Sequence, residues 1–414
     1  MRIAVFLESL PDTGGGFQQG LSTVEALTAR GASRHECVVF TPYERTRLRL
    51  EEHGIPAVVF AQRGVRLVDV WASTLAGNAI LRRLRRLGFR RLGRHLDALL
   101  EEHGIDLLFF NEAGGAVLRI GDHPFFVSVW DLDHRDHPEF PEAFRDRKFE
   151  RRERYLQSTL TRAVAVVSNS AYGSRRISAL YKVDADRIVS LPFVPSVVAR
   201  RHAAGHAKIT SSEVIRKYSL NKPFVFYPVC FLPQKNHLYL LEGLVDLHRR
   251  HGIVLNAVFC GGGDAEQRGR VELQVQALGL HEQVRVLGWV PDEDVPALYQ
   301  EAVALVMPTY CGPTNLPPLE AALLECPVVY SDMPGCREQM GNAALYCDLT
   351  DVSTLADHLL SLIRDQPLRQ RMIEAGRRLS QELDGVDYSA RLSRILDDYE
   401  YVRRRWAWPP RTQG

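Results

Sequence analysis

A loop in the second half of the chain combines residue types that can hold a phosphorylated ligand. The apolar run 303–307 predicts a buried strand, and Gly312, Thr314 and Asn315 follow it before a helical pattern opens at two prolines. A helix N-terminus offers free N–H groups and a partial positive charge, which favour phosphate. Glu320, in the predicted first turn, can accept hydrogen bonds from hydroxyl groups of the ligand. The alternative is an ordinary turn in which Glu320 only complements the helix dipole.

Two shorter stretches also place suitable residues between a predicted strand and a helix. Gly15 and Gly16 lie in a glycine-rich turn after the first strand, where the backbone can approach a ligand closely. Lys235 directly precedes a helical pattern, where its ammonium supplies a point charge for phosphate. Neither stretch matches a dinucleotide or P-loop fingerprint. A flexible loop and an ordinary surface lysine are therefore the alternatives.

Polar side chains also follow the predicted strand 125–129. This strand runs into Trp130 and Asp131, with Asp133 and His134 close behind. Because ligands bind beyond the carboxyl ends of strands in α/β sheets, the segment is a candidate site. Its spacing fits no strong metal-binding motif, and we therefore expect no metal. Asp131 and His134, together with Lys235, are the candidates for a catalytic role.

Composition restricts the class of protein and its partners. The 414 residues are enough for two domains, and 52 basic residues nearly balance 50 acidic ones, which argues against nucleic acid as a partner. The seven cysteines form no C-x-x-C pair and mostly fall in apolar runs, as reduced core residues of a cytoplasmic protein do. No apolar run reaches the roughly 20 residues of a membrane span.

The stretch 81–100 has an unusual charge pattern. Its arginines alternate with leucine and phenylalanine along a predicted helix. One interpretation is a solvated basic face on a packed helix. The other is a membrane-surface helix, with arginines on anionic lipid headgroups and apolar side chains dipping in. The second interpretation predicts a cytoplasmic protein that associates peripherally with the inner face of a membrane.

Strands and helices alternate through both halves of the chain, which predicts an α/β protein with two doubly wound, Rossmann-like domains and a cleft between them. The first domain is expected at 1–195 and the second at 223–388. The polar segment 196–222 is expected to link them. A final helical segment, 389–414, is expected to cross back to the first domain.

The stretch from Gly312 to Glu320, Gly-Pro-Thr-Asn-Leu-Pro-Pro-Leu-Glu, resembles the donor-site signature of retaining glycosyltransferases of family 4, which have the GT-B fold. It is similar to a subgroup of bacterial sugar transferases, many of them mannosyltransferases. The usual signature has a second glutamate eight positions before its last one, where Gly312 stands here. The segment from Trp130 to Arg135 also resembles that subgroup, with Asp133 where glutamine is usual. The resemblance covers nearly the whole chain.

The resemblance implies a role for each matching position. Lys235 corresponds to a lysine that binds the donor diphosphate, whereas Cys230 stands where many members have a second cation. Glu320 would hold the nucleotide ribose, and either Asp131 or His134 would face the donor sugar. The donor-binding residues implied in this way are Gly15, Gly16, Lys235, Val290, Pro291, Gly312, Thr314, Asn315, Leu316 and Glu320.

The function implied by the resemblance is retaining, metal-independent sugar transfer in the biosynthesis of a cell-surface polysaccharide. The donor would be a nucleotide-diphosphate sugar, with mannose from GDP-mannose as the best match, and the protein would need no cofactor. The acceptor would be a glycan or a lipid-linked sugar. Two alternatives remain at this point: a non-catalytic nucleotide-sugar or glycan binder, and an epimerase of the same fold, against which the Pro-Pro-Leu-Glu sequence argues.

Overall fold

The computed structural model describes residues 1–28, 33–60, 94–112, 114–118, 120, 123–206, 209–263, 265–383 and 385–406. Most of the Arg-rich stretch 81–100, and with it the predicted membrane-surface helix, lies outside these residues. A search of the described residues finds no helix that combines the length and the apolar character needed to cross a membrane.

Short apolar runs form the strands of the two domains. The strands found within the described residues are β1 (Arg2–Phe6), β2 (Glu36–Thr41), β3 (Ala57–Val59), β4 (Leu107–Phe110), β5 (Phe125–Val129), β6 (Ala165–Ser168), β7 (Ile188–Ser190), β8 (Phe224–Pro228), β9 (Asn256–Cys260), β10 (Val284–Gly288), β11 (Leu305–Met307), β12 (Val328–Ser331) and β13 (Ala344–Cys347).

The strands form two separate parallel sheets. The order in the first sheet is β3-β2-β1-β4-β5-β6-β7, and in the second it is β10-β9-β8-β11-β12-β13. In both sheets the order reverses beside the first strand, which is the arrangement of a doubly wound fold. The register pairs Val5 with Val39 on one side and with Phe109 on the other. The predicted α/β architecture of two Rossmann-like domains is thereby confirmed.

Helices cover both faces of each sheet. The α-helices within the described residues are α1 (Gly15–Thr28), α2 (Glu44–Glu52), α3 (Arg94–Glu102), α4 (Asp133–Asp136), α5 (Pro141–Phe144), α6 (Lys148–Thr159), α7 (Ala171–Tyr181), α8 (Val197–Ala203), α9 (Ser211–Lys217), α10 (His237–His251), α11 (Ala265–Ala277), α12 (Val295–Glu301), α13 (Leu316–Leu323), α14 (Pro334–Met340), α15 (Val352–Arg364), α16 (Gln366–Glu382) and α17 (Gly385–Arg403).

Burial of both sheet faces explains why the strands are apolar along their whole length. All residues of β4 and of β5 are buried, as expected for central parallel strands. In the first domain Phe6 stacks on Phe110, with ring centroids 4.6 Å apart, and on Phe40, at 5.5 Å. Such rings bury a large apolar area each and fix the spacing of neighbouring strands.

The segment between the two sheets carries two short helices. Helices α8 and α9 both lie within the predicted linker 196–222. The Lys217 ammonium is 2.5 Å from Asp294 Oδ2, and the Tyr218 hydroxyl donates to the same oxygen. Asp294 is buried at the start of α12, so these contacts attach α9 to the second domain.

The last helix, α17, packs on the first domain. Tyr388 lies within 2.9 Å of Thr23 Oγ1 and accepts a hydrogen bond from Gln19 Nε2, both on α1. Leu392 and Leu396 are fully buried in the core of the same domain. This helix therefore ties the end of the chain back across the junction between the domains.

Candidate active site

The two domains face a cleft that holds a solvent-open cavity of about 750 Å³, a volume that includes solvent at its mouth. First-domain residues reach it from the segment after β1, and second-domain residues reach it from the segments after β8, β9, β10 and β11. This is the edge of the sheets at which α/β folds bind ligands. Among the residues proposed from sequence, the cavity is lined by Gly15, Val290, Leu316 and Glu320.

Glu320 lies deep in this cavity. It is the fifth residue of α13, because the helix begins at Leu316, one residue before the first of the two prolines. The Tyr299 hydroxyl donates to Glu320 Oε2 over 3.0 Å. Burial raises the pKa of Glu320, and hydrogen bonds from Ser196 and Tyr299 offset part of that rise. The carboxylate is held in place and still has acceptor capacity for ligand hydroxyl groups.

The glycine-rich segment forms the start of a helix rather than the predicted loop. Helix α1 begins at Gly15, so Gly15 and Gly16 supply N–H groups at its N-terminus. A Cβ at Gly15 would lie 3.8 Å from Leu316 Cδ1, and one at Gly16 would lie 3.7 Å from Trp130. Gly15 therefore faces the second domain across the cleft, whereas Gly16 faces the segment after β5.

The loop before α13 is shaped by its own side chains. Gly312 has φ +90°, a conformation that disfavours any other residue, and a Cβ there would meet the Asn315 side chain at 2.9 Å. Asn315 Nδ2 donates to Gly312 O and to the Tyr330 hydroxyl. Thr314 is buried, and its Oγ1 has no partner among the described residues. Asn315 thus stabilises the loop, and Thr314 retains an unused polar atom.

The N-terminus of α13 has less capacity for an anion than its position suggests. Pro317 and Pro318 have no N–H, and the N–H of Asn315 donates to Gln339 Oε1 over 3.1 Å. Of the residues described in this first turn, Leu316 therefore remains to offer one. The prolines fix the direction of the helix, but because they have no N–H the helix N-terminus loses two hydrogen-bond donors.

Lys235 lies at the end of a short 3₁₀ helix, Pro233–Lys235, directly after β8. Tyr227 donates from its hydroxyl to Lys235 O over 2.6 Å, which fixes the backbone at this point. The side chain is half-buried, and its charge acts on Asp133 of the first domain. The ammonium therefore faces the cleft from the second domain, although it does not line the 750 Å³ cavity.

Asp131 and Asp133 form a pair of carboxylates on the opposite side of the cleft. Arg152 Nη2 is 2.8 Å from Asp131 Oδ1, and the N–H of Asp133 donates to the same oxygen over 3.0 Å. Burial alone would raise the pKa of Asp131, but the Arg152 charge brings it below its usual value. Asp131 therefore stays ionised and fixed in direction.

Asp133 has the opposite electrostatic character. Its Oδ1 accepts a hydrogen bond from the N–H of Gly312 over 3.0 Å, across the domain boundary. Burial and the neighbouring charge of Asp131 raise the pKa of Asp133 to about 7, although Lys235 opposes the rise. The pair thus holds one firmly ionised carboxylate and one that titrates near neutral pH.

His134 belongs to a network on the far side of α4. Its Nε2 lies 2.8 Å from Glu153 Oε1 and 3.4 Å from the Tyr181 hydroxyl, and Arg135 also donates to Glu153. The side chain is 3% exposed, and burial followed by the Arg152 charge lowers the pKa of His134. Of the two residues proposed to face the donor sugar, Asp131 thus lines a second, smaller pocket that also includes Pro313 of the second domain, and His134 points into the core.

The segment after β10 completes the cavity. Val290 lines it, together with Trp289 and Asp292, whereas Pro291 is not among the lining residues. Asp292 accepts a hydrogen bond from Gln18 Nε2 over 2.8 Å, which joins the second domain to α1. Trp289, at 56% exposure, offers a broad apolar face at the cavity.

Within the described residues, one cluster could arrange ligand atoms for a metal: His35, Asp397 and Glu400. It lies where α17 meets the segment before β2, away from the cleft. Arg34 already contacts Asp397 at 2.7 Å and Glu400 at 2.9 Å, and Arg404 is 3.2 Å from Glu400. Two guanidinium groups therefore neutralise these carboxylates, and we interpret the cluster as an ion-pair network.

Comparison with known protein families identifies both halves. A family described as "Glycosyltransferase Family 4" matches residues 13–192, and one described as "Glycosyl transferases group 1" matches residues 211–379. Two regions of the chain, one in each half, thus match glycosyltransferase family models. Their boundary falls between β7 and α9, as the contacts of α9 with the second domain require.

Curated relatives are similar over part of their length. The O-antigen chain mannosyltransferase B of Escherichia coli is 30% identical over 237 residues, which is 55% of this chain and 58% of that protein. The phosphatidyl-myo-inositol mannosyltransferase of Mycobacterium leprae is 31% identical over 173 residues, 41% of this chain and 44% of that protein. The chain thus spans about half the length of the curated relatives it matches.

Solved structures establish the fold. Alr3699/HepE of Anabaena in complex with UDP-glucose aligns with a TM-score of 0.73 at 17% identity, over 96% of this chain and 100% of that one. Sucrose-phosphate synthase of Thermosynechococcus elongatus aligns with a TM-score of 0.72 at 16% identity, over 97% and 99%. The fold of this chain is therefore GT-B, as the resemblance implied.

Several residues of the cleft were not singled out from sequence. The partners of Arg152, Gln18 and Tyr299 lie 21, 274 and 21 residues away along the chain, respectively. No local sequence pattern predicts such pairs. Asp133 was visible only as a departure from the subgroup pattern. That departure could have marked Asp133 as a residue of the site, because an acid in place of an amide changes the charge of the site.

Replacing Asp133 tests the electrostatics of the pair. The raised pKa means that ionising Asp133 destabilises the fold progressively as pH rises from about 4, the value in unfolded chains, to about 7. Asp133→Asn should therefore be more stable relative to the parent at pH 8.5 than at pH 5.5, by about 1–2 kcal/mol. Melting curves at both pH values measure this. Asp146→Asn, an exposed aspartate, is the control, and an equal difference at both pH values for Asp133→Asn would contradict the assignment.

Proposed function

We propose that this protein transfers a sugar from a nucleotide-diphosphate donor, with GDP-mannose as the preferred candidate, to a glycan or lipid-linked acceptor. The observation that carries the proposal is the cleft itself. The second-domain wall combines Glu320 and Lys235 with an apolar surface suited to a nucleoside, and the first-domain wall combines the N-terminus of α1 with an oriented carboxylate, Asp131. Those are the parts that a nucleotide, a diphosphate and a sugar would need.

Each end of the donor has a matching group. Glu320 would accept hydrogen bonds from the ribose hydroxyls, and Trp289 and Val290 would contact the base. The diphosphate would lie toward the N-terminus of α1, where Gly15 and Gly16 offer N–H groups, and toward Lys235. The sugar would then reach Asp131, whose pairing with Arg152 keeps it ionised and oriented to accept hydroxyl hydrogen bonds.

The chemistry required of the protein is stabilisation of a leaving diphosphate. Negative charge grows on the phosphate oxygen as the glycosidic bond breaks, so a positioned cation favours the transition state over the ground state. Lys235 would supply that charge without a metal ion. Retention of configuration would follow if the acceptor attacks from the side that the diphosphate leaves, which needs no second carboxylate at glycosidase spacing.

Support for mannose comes from the relatives and not from the cleft. Two relatives at about 30% identity are named as mannosyltransferases, one acting in O-antigen chains and one on phosphatidyl-myo-inositol. A solved GT-B structure at 17% identity holds UDP-glucose, so the fold accommodates other bases and sugars. The choice of GDP-mannose therefore rests on the sequence similarity of the two mannosyltransferases.

A donor panel tests the function directly. The protein is incubated with GDP-mannose, UDP-glucose, dTDP-glucose and ADP-glucose, each with and without EDTA, and free nucleotide is measured. We expect GDP release from GDP-mannose to exceed release from the other donors and to persist in EDTA, because Lys235 replaces a metal at the phosphate. Activity lost in chelator and restored by manganese would refute the metal-independent mechanism, and absence of release from every donor would refute sugar transfer.

Glu320→Ala should weaken nucleotide binding. A hydrogen bond to a charged group contributes about 1.5–3 kcal/mol, so affinity should fall roughly 10- to 150-fold if one such bond to the ribose is lost. Isothermal calorimetry with GDP measures the change. Glu293→Ala removes an exposed acid beside the same cavity and serves as the matched control. Equal affinity of Glu320→Ala and the control would exclude a ribose contact.

Lys235→Ala should lower turnover more than stability. A positioned charge at a leaving group contributes about 3–4 kcal/mol, or roughly 10²–10³ in rate. The half-buried ammonium packs little apolar surface, so the melting temperature should change little. Lys235→Arg should retain part of the rate, and Lys182→Ala, at an exposed helix end, should retain all of it. Full turnover in Lys235→Ala would make this residue an ordinary surface lysine.

A further inference from the structure

We propose that Glu338 is a positioning residue for sugar transfer, which joins the second domain to α7 of the first and thereby fixes the loop before α13 against Asp131. Glu338 lies on α14. Its Oε1 and Oε2 accept hydrogen bonds from the N–H groups of Ala171 and Tyr172 over 2.5 Å and 2.8 Å, respectively. Those are the first two residues of α7, in the opposite domain. The role in transfer rests on the proposed function, whereas the contact does not.

This contact completes the hydrogen bonding at the N-terminus of α7. The first N–H groups of a helix have no partner within the helix, and they carry a partial positive charge. Ser170 Oγ accepts from the N–H of Gly173 over 2.9 Å, and Ser170 O accepts from the N–H of Ser174 over 3.0 Å. Glu338 binds the two N–H groups between them. A carboxylate of the second domain therefore supplies the anion that this helix end attracts.

Helix α14 also contacts the loop before α13. Gln339, next to Glu338, accepts from the N–H of Asn315 over 3.1 Å and donates to Asn315 O over 2.7 Å. A Cβ at Gly335 would lie 2.4 Å from Pro313 O, so the helix and the loop are in backbone contact. One short helix thus binds α7 on one side and fixes the loop on the other.

The smaller pocket depends on both contacts of α14. Asp131 and Tyr172 line this pocket from the first domain, and Pro313 lines it from the second. The N–H of Tyr172 is bound to Glu338, and Pro313 packs on Gly335. A displacement of α14 from α7 would therefore move Pro313 away from Asp131.

Contacts between the domains follow the order of the strands. The segment after β1 meets the segment after β10 through Gln18 and Asp292, and the segment after β5 meets the segment after β11 through Asp133 and Gly312. Glu338 adds the segment after β12, which meets α7 directly after β6. Glu338 does not line the 750 Å³ cavity. It can therefore join the domains while a donor occupies that cavity.

Removal of the Glu338 carboxylate should cost little stability. The side chain is 34% exposed, and Arg175, at 4.0 Å from its Oε2, is 70% exposed, so the ion pair is weak. Water can also reach the first turn of α7 and satisfy its N–H groups. The expected effect of the substitution is thus on the arrangement of the two domains and not on the melting temperature.

Amide hydrogen exchange of the full chain, resolved by fragmentation mass spectrometry, tests the contact without reference to activity. Glu338→Ala is compared with the parent and with Asp332→Asn. Asp332 is an exposed acid of the same segment that pairs with Arg337 of α14, within the second domain. Glu338→Gln keeps one acceptor oxygen and loses the charge, and it serves as the conservative variant.

We expect exchange at Ala171 and Tyr172 to be at least tenfold faster in Glu338→Ala than in the parent. Exchange at Gly312 should also become faster, because its N–H donates to Asp133 across the cleft and the loop is fixed by α14. Exchange in Asp332→Asn should match that of the parent. The effect at Gly312 is the one that a simple cap of α7 would not produce.

Steady-state kinetics with GDP-mannose separate positioning from donor binding. Glu338→Ala should lower kcat at least tenfold, because Asp131 and Lys235 belong to different domains. The KM for the donor and the affinity for GDP should change less than threefold, since Glu320 and Val290 both lie in the second domain. Glu338→Gln should have a kcat between those of Glu338→Ala and the parent.

Two results would overturn the proposal. Faster exchange at α7 with unchanged exchange at Gly312 and unchanged kcat would leave Glu338 as a cap of that helix. Unchanged exchange at all three amides would exclude the contact itself. Absence of turnover by the parent with every donor would instead refute sugar transfer, and exchange at Gly312 would still decide whether Glu338 fixes the loop before α13.

Discussion

A cleft proposed to bind a doubly charged diphosphate is itself rich in acids, and the arrangement of their partners is the constraint on which the site depends. Asp131 is neutralised by Arg152, and Asp292 is contacted by both Arg49 and Gln18. Glu320 accepts from Tyr299. Each of these carboxylates has a partner from its own side or from the opposing domain, so none has to be neutralised by a ligand.

Asp133 differs from these carboxylates in which groups stabilise it. Its partner is the N–H of Gly312, in the loop that also leads to α13, and the charge of Lys235 acts on it from the same side. The groups that stabilise Asp133 are thus the groups that a phosphate or a sugar hydroxyl would be expected to use. The Asp133 carboxylate joins the two domains across the cleft. A bound donor would compete with it for the same hydrogen-bond donor and the same charge.

The fold could be predicted from sequence because its signals are local. Buried parallel strands are short apolar runs. The two that were predicted with ranges, 303–307 and 125–129, contain β11 and coincide with β5, since burial on both faces leaves no alternation to misread. The glycine-rich turn was different. Glycine is a poor helix former, so Gly15 and Gly16 predicted a loop, yet α1 begins there. Contacts of α1 with Tyr388 of α17 and with Asp292 stabilise this helix. A local sequence pattern contains no information about such contacts.

Candidate site residues could be proposed from sequence only where the residue type and its position together suggest one function. Glu320, Lys235 and Gly312 were proposed because each belongs to a segment that leads from a strand into a helix. His134 was proposed on the same grounds, but its partners Glu153 and Tyr181 come from two other helices and turn it toward the core. Arg152 was missed for the converse reason. Its function depends on Asp131, 21 residues earlier in the chain, and only the packing of α6 brings them together.

A count of charges explains why the acid at position 133 matters. Around the two aspartates, Arg152 and Lys235 balance Asp131 and ionised Asp133, so a diphosphate that arrived there would meet no net positive charge from these four groups. The N-terminus of α1 contributes roughly half an elementary charge, and that of α13 has lost two donors to proline. Protonation of Asp133 raises the net charge of these groups by one unit. Lys235 then has no ionised Asp133 beside it when it contacts the phosphate. A glutamine at this position would leave these groups with one net positive charge near neutral pH, whereas the aspartate makes their charge depend on pH in that range.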